Sequence, residues 1–257
     1  MMTFCPYDPK NNDPKNNDLN IPHSDDFASQ KAVVLFSGGL DSTTCLYWAK
    51  AVFKEVTAIS FCYGQRHLSE LAFSFAIAQM LGVSHRIIDI AIAQLGGSAL
   101  TDSSIEVPDH QADSDAVPVT YVPARNTIFL SYALAVAEVT EACAIIIGVS
   151  SVDFSGYPDC RDDYIRAFET MANLATVAGR AGRHLSIIAP LQYLSKAQTL
   201  KLGLSLGVDY AQTVSCYRAD SDGRACGECD SCVLRHQGFV QAGISDPTRY
   251  QDKTGIN

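Results

Sequence analysis

Five short apolar runs recur along the chain, separated by helical patterns, and that alternation limits the fold more than any other feature. AVVLF (32–36), VTAISF (56–61), HRIIDI (85–90), AIIIGVS (144–150) and LSIIAP (185–190) read as strands. TTCLYWAKAVF (43–53), SELAFSFAIAQML (69–81), NTIFLSYALAVAEVTEA (126–142), DDYIRAFETMANLATVA (162–178) and SKAQTLKLGLSLG (195–207) read as helices, with Ser69 as an N-cap and Gly82 just past an end. Largely apolar strands separated by helices imply an α/β fold: a doubly wound, mainly parallel five-stranded sheet, Rossmann-like, covered on both faces. Ligands of such sheets sit at the carboxyl ends of the strands. Residues 96–125 break the alternation, and so long a connection reads either as a solvated acidic insertion or as a flap over the site.

The first strand runs directly into FSGGLDST (36–43). A glycine pair between a strand and a helix lets backbone approach a ligand closely, and the free amides of the following helix favour an anion. Ser37, Gly38, Gly39 and Ser42 offer amides and hydroxyls to a multiply charged phosphate. Asp41 is out of place among them unless it orders the turn or helps hold a magnesium ion. The string differs from the lysine-bearing P-loop, and no G-x-G-x-x-G follows a strand.

Cys216, Cys226, Cys229 and Cys232 are spaced C-x9-C-x2-C-x2-C. Four thiolates at such spacing, with glycine in the turn, suit a tetrahedral structural zinc, whose four protein ligands leave no open position for substrate. An iron–sulfur cluster is the competing occupant; zinc is favoured because no redox partner motif accompanies the cysteines. An odd total of nine cysteines with one tight cluster fits a reducing compartment, so a cytoplasmic protein is expected. There is no apolar run long enough to span a bilayer and no signal-peptide pattern at the start. The formal charge of 19 − 28 = −9 disfavours a nucleic-acid partner.

The tandem DPKNN repeat near the start cannot bury apolar area and marks residues 1–30 as a disordered leader. The expected organisation is then a nucleotide-binding and catalytic domain over 31–212 and a small zinc-binding C-terminal segment over 213–257.

The Ser37–Ser42 string after AVVLF resembles the pyrophosphate loop of the PP-loop ATPases (adenine nucleotide α-hydrolases). That resemblance implies cleavage of ATP between its α- and β-phosphates, with residues 36–43 (Phe36, Ser37, Gly38, Gly39, Leu40, Asp41, Ser42 and Thr43) around the nucleotide. Together with YGQRHLSE (63–70), VPARN (122–126), SSVDFSGYPDCR (150–161) and the four cysteines, it is similar to the 7-cyano-7-deazaguanine synthases over roughly residues 32–245. The family implies conversion of 7-carboxy-7-deazaguanine, ammonia and ATP to the nitrile, in queuosine biosynthesis, by a homodimer. Arg125 and Lys196 are then candidates for neutralising phosphate charge beside Asp41. Asp153 or Asp159 would accept hydrogen bonds from the guanine-like edge, Tyr157 or Phe154 would stack on the ring, and Arg161 or Arg66 would clamp the carboxylate. Asp162 and Asp163 have the simpler reading of helix starters, and His67 that of a structural histidine. Where the family usually shows glycine in VPGRN this chain has Ala124, which costs stability if that position needs a positive φ. The weighed alternatives are a PP-loop enzyme that modifies tRNA, which the net charge disfavours, and a non-catalytic zinc-stabilised nucleotide-binding module.

Overall fold

The computed structural model describes residues 27, 29–66, 69–110, 117–150 and 157–252. Strands β1 (Lys31–Leu35), β2 (Glu55–Cys62), β3 (Ser84–Asp89), β4 (Ala144–Ile146) and β5 (Ser186–Ile188) form one sheet in the order β3-β2-β1-β4-β5. Every neighbouring pair is parallel, with Val34 opposite Ala58 on one side and Ile146 on the other. The chain winds outward from β1 to β3, then returns to lay β4 on the other side of β1. Strand order therefore reverses between β1 and β4, and the loops leaving these two strands diverge there to open a crevice.

Side chains alternate across the sheet as a strand's period of two requires. Ala32, Val34, Ala58, Ile146 and Ile188 meet Leu46, Trp48 and Ala49 of α1 (Leu40–Val52), Ile77 of α2 (Ser69–Met80) and Leu202 of α6 (Lys196–Ser205). Val33, Leu35, Ile59, Ile145 and Ile187 meet Leu130 and Ala133 of α3 (Arg125–Thr140) and Ile165 and Phe168 of α4 (Asp162–Ala175). Each large apolar side chain buried in these layers contributes about 1.5–3 kcal/mol relative to exposure. No helix among the described residues is long and apolar enough to cross a membrane.

Several local expectations change. Helix α1 starts at Leu40 rather than Thr43, so Leu40–Ser42 are its first turn and not loop. Ser69 is the first residue of α2 and not its cap, and its hydroxyl is buried without a partner among the described residues. The helical pattern over 162–178 breaks at Thr176, whose side chain accepts from Gly179 N at 3.1 Å and caps a separate turn, α5 (Val177–Arg180). A helix that the apolar pattern did not disclose, α7 (Asp230–Ala242), runs from Cys229 to Gly243, where φ is +71°. It packs on α6 through Leu200, Val208, Tyr210 and Phe239.

The described parts of the 96–125 connection, 96–110 and 117–125, are not a solvated insertion. Ala99, Leu100, Val107 and Val122 are buried in one cluster with Val214, Ala219, Cys216, Cys229 and Cys232. Polar contacts fasten it further: His110 N donates to Glu228 O at 2.8 Å, and the His110 ring meets Asp230 at 2.8 Å.

Ala124, just ahead of α3, adopts φ 54° and ψ 22°, a left-handed backbone that a Cβ disfavours by about 1–2 kcal/mol. Glycine there relieves that strain and regains part of it as unfolded-state freedom. Ala124→Gly is expected to raise the unfolding free energy by up to about 1 kcal/mol. The check is an upward shift of the denaturant midpoint at unchanged slope; a downward shift contradicts it.

Candidate active site and cysteine centre

A cavity of about 350 Å³ opens at the carboxyl ends of β1, β2 and β4, where strand order reverses. Its wall includes Ser37, Gly39, Asp41 and Ser42 from the loop and first turn after β1, and Gly148 and Ser150 after β4. The two walls touch closely: a Cβ on Gly148 would lie 3.2 Å from Ser42 N.

The β1–α1 loop is held from several directions. Ser42 Oγ receives a hydrogen bond from Ser37 N at 3.2 Å, lies 3.1 Å from Ser37 Oγ and donates to Gly39 O at 3.2 Å. Gly38 has φ +86°, and a Cβ there would lie 2.8 Å from Glu70 O and 2.9 Å from Ser74 N, both backbone atoms of α2. Gly38 thus does not line the cavity but lets the loop press on α2. Phe36 and Leu40 turn their side chains into apolar clusters, and Thr43 is buried.

Asp41, in the first turn of α1, lies 2.9 Å through each carboxylate oxygen from Lys196 Nζ, at the start of α6. The Lys196 side chain is only 15% exposed, which sets aside its reading as a solvated surface charge. Its stem crosses α7 where that helix has Gly238: a Cβ there would fall 2.4 Å from Lys196 Cγ. Opposite, Arg125 lines the cavity at the start of α3 with Tyr63, Tyr157 and Tyr217 within electrostatic reach. Glu70, in the first turn of α2, faces the same space, and burial pushes its carboxyl up to about 7 against the pull of Arg125. Burial likewise pushes the Cys160 thiol in the wall up to about 11, so it stands protonated rather than as a nucleophilic thiolate.

The residues read as a substrate set do not converge as one group. Tyr157 lines the cavity, its hydroxyl 2.9 Å from Thr120 Oγ1 and its ring stacked on Tyr121 at 5.6 Å. Arg66 also lines it, but its guanidinium donates to the carbonyls of Asp102 and Ile105 and so ties down the 96–125 connection. Asp159 is buried outside the cavity wall, accepting from Asn126 N at 3.0 Å, where a carboxylate suits the start of α3. Arg161 is exposed beside Asp163 at 3.6 Å and likewise does not line the cavity. Asp162 pairs with Arg166 in the first turns of α4, the helix-starting role. Asp153, Phe154 and His67 lie outside the described residues.

The four cysteines come together with every pair of sulfurs within 4.8 Å, Cys216 to Cys229 at 4.0 Å and Cys226 to Cys232 at 3.9 Å. Four sulfurs at about 2.3 Å from a tetrahedral zinc lie about 3.8 Å apart, so the donor set fits the ion. The centre adjoins the β1–α1 loop directly. Ser215, beside Cys216, accepts from Leu40 N at 3.0 Å, and Val214 N donates to Gly38 O at 3.2 Å. Ser231 Oγ, on α7, donates to Ser215 O and closes the connection.

The sequence reading missed Glu70, Tyr63, Ser215, Tyr217 and α7. Glu70 and Tyr63 lie within the quoted YGQRHLSE string, and Ser215 directly precedes the first cysteine. The stretch from Asp230 to the left-handed Gly243 carries a helix stop signal, which the cysteine spacing overshadowed.

A parallel five-stranded sheet whose strand order reverses beside a glycine-bearing loop defines an α/β protein with a doubly wound, Rossmann-like fold. The chain belongs to the family described as queuosine biosynthesis protein QueC, whose sequence profile matches residues 31–243. It is 68% identical to the 7-cyano-7-deazaguanine synthase of Psychrobacter cryohalolentis over 87% of this chain and 90% of that protein. Proteins of the same name from Acinetobacter baylyi (63% identical; 86% and 95% covered) and Legionella pneumophila (59%; 86% and 97%) are also similar.

Two substitutions test this construction. An alanine in a helix interior ordinarily stabilises by up to about 1 kcal/mol over glycine. Gly238→Ala is instead expected to destabilise by about 1–3 kcal/mol, because the stem of Lys196 must move. Thermal unfolding decides the sign. Cys229→Ser should lose bound zinc and lower the melting temperature together; normal zinc content with normal melting contradicts a structural metal centre.

Proposed function

We propose that this chain is an ATP-dependent C–N ligase that converts 7-carboxy-7-deazaguanine and ammonia to 7-cyano-7-deazaguanine. The observation that carries the reading is the meeting of Asp41, Lys196 and Arg125 around one cavity beside the Ser37–Ser42 loop. The names of close relatives support the product. A carboxylate is a poor electrophile, so one of its oxygens must first become part of a leaving group. Its attack on the α-phosphate of ATP gives an acyl-adenylate and pyrophosphate, and ammonia then displaces AMP to leave an amide. Removing the amide oxygen by a second adenylation gives the nitrile, so two ATP are consumed per product.

In this reading the protein contributes positioning and charge stabilisation. The Ser37–Ser42 loop receives the pyrophosphate end of ATP, and Lys196 and Arg125 offset the negative charge that develops on it. Asp41 is the residue to share a magnesium ion with the phosphates, which would supply further neutralisation there. Tyr157 offers the heterocycle a stacking face, and a zinc held by Cys216, Cys226, Cys229 and Cys232 would fold the segment behind the loop. A cytoplasmic homodimer, with a catalytic domain over 31–212 and a zinc-binding segment over 213–257, belongs to the same reading.

Zinc-loaded protein given the acid, an ammonium salt, magnesium and ATP should release nitrile and AMP, followed by mass spectrometry. Folded protein that yields neither contradicts the reading. Lys196→Ala should lower turnover by roughly 100-fold or more, the scale of losing one preorganised charge-stabilising donor. Unchanged turnover removes Lys196 from the site.

A further inference from the structure

We propose that Glu70 is the proton acceptor that converts ammonium to the attacking ammonia at the carboxyl carbon of the adenylated substrate. The inference rests on the reaction read above. At neutral pH the available species is mostly ammonium, which has no free lone pair, so the amide-forming step needs a base within the closed site.

Glu70 is placed for that task. It stands in the first turn of α2, whose backbone abuts Gly38, so its position is fixed to the phosphate loop itself. It lines the cavity that also holds Asp41, Lys196 and Arg125. Among the described residues its carboxyl makes no hydrogen bond, which leaves both oxygens available to an incoming N–H donor. The charged and titratable groups facing it are Tyr63, from the end of β2, and Arg125, from the start of α3. With Phe61 and Phe129 they make a poorly solvated wall. Burial there holds the carboxyl at about 7 instead of its ordinary 4.5, a base roughly 300-fold stronger than an exposed glutamate. Burial raises the hydroxyls of Tyr63 and Tyr217 and the Cys160 thiol of the same cavity, so they stay protonated at neutral pH, and Lys196 is engaged with Asp41.

The step balances. Ammonium gives one proton to the Glu70 carboxylate, and the freed lone pair forms the C–N bond. The C–O bond to AMP breaks with its electron pair going to the phosphate oxygen. The surplus N–H proton passes to that phosphate or to water, and Glu70 discharges its own proton to solvent as AMP leaves.

The test compares two nucleophiles on the zinc-loaded protein with acid, ATP and magnesium. Hydroxylamine is largely neutral at neutral pH and needs no base to expose its lone pair, whereas ammonium does. In Glu70→Gln the ratio of ammonium-derived product to hydroxamate is expected to fall by roughly 100-fold against the unaltered protein. Equal loss with both nucleophiles, or no loss with either, overturns the assignment. The unaltered protein supplies a check that does not depend on the variant's folding. Its rate per total ammonium should rise through about pH 7 and then level off as the carboxyl ionises, whereas a rate that follows free ammonia keeps rising, and its rate per neutral hydroxylamine should stay level. The same pH profile for both overturns the assignment. Pyrophosphate release from acid and ATP without any amine distinguishes failure of the reaction from failure of the base. Its absence in the unaltered protein withdraws the reaction itself. Where pyrophosphate is released, the nucleophile comparison decides the role of Glu70.

Discussion

The close seating of Gly38 is the constraint on which the rest of the site depends. With φ at +86° and backbone of α2 within about 3 Å of where a Cβ would be, no other residue fits without moving a helix. The carbonyl of Gly38 accepts from Val214 N, and the neighbouring Leu40 amide is taken by Ser215. The loop is thus pinned by α2 on one side and by the segment leading into Cys216 on the other. A loop that must meet a multiply charged group benefits from such fixing, because preorganised dipoles need no rearrangement when charge arrives.

This explains why a cysteine centre far along the chain belongs to the cavity beside the β1–α1 loop. Cys216 adjoins Ser215, Cys229 starts α7, and α7 supplies both Ser231, which holds Ser215, and Gly238, which gives Lys196 its path to Asp41. The 96–125 connection lies over the same cysteines through Leu100 and Val107 and is tied to the cavity wall by Arg66. What the sheet contributes is placement: the reversal between β1 and β4 opens the crevice, and the cysteine segment closes its far wall.

The sheet was legible in the sequence because apolar runs with a period of two and helices with a period of 3.6 differ wherever a face is buried. The loop was legible because SGGLDS after a strand has few physical uses. The substrate set was less so. Asp159 and Arg161 share a short string with Tyr157, yet a tight turn at Pro158–Cys160 sends Asp159 to the start of α3 and Arg161 to solvent. String proximity carries no direction for side chains at such a turn. Glu70 was hidden for a related reason: an acidic residue in a first helical turn normally serves the helix dipole. The fold places it in the cavity wall, on the helix whose backbone abuts Gly38.

We infer that the cysteine centre holds the β1–α1 loop in the form that receives nucleotide. Titration calorimetry with magnesium and a non-hydrolysable ATP analogue, before and after chelation of the metal, tests it most directly, with circular dichroism confirming that the sheet persists. Nucleotide affinity is expected to fall by an order of magnitude or more with loss of the metal and to return when zinc is restored. Metal-free, folded protein that binds the analogue as tightly as the loaded form would contradict the claim.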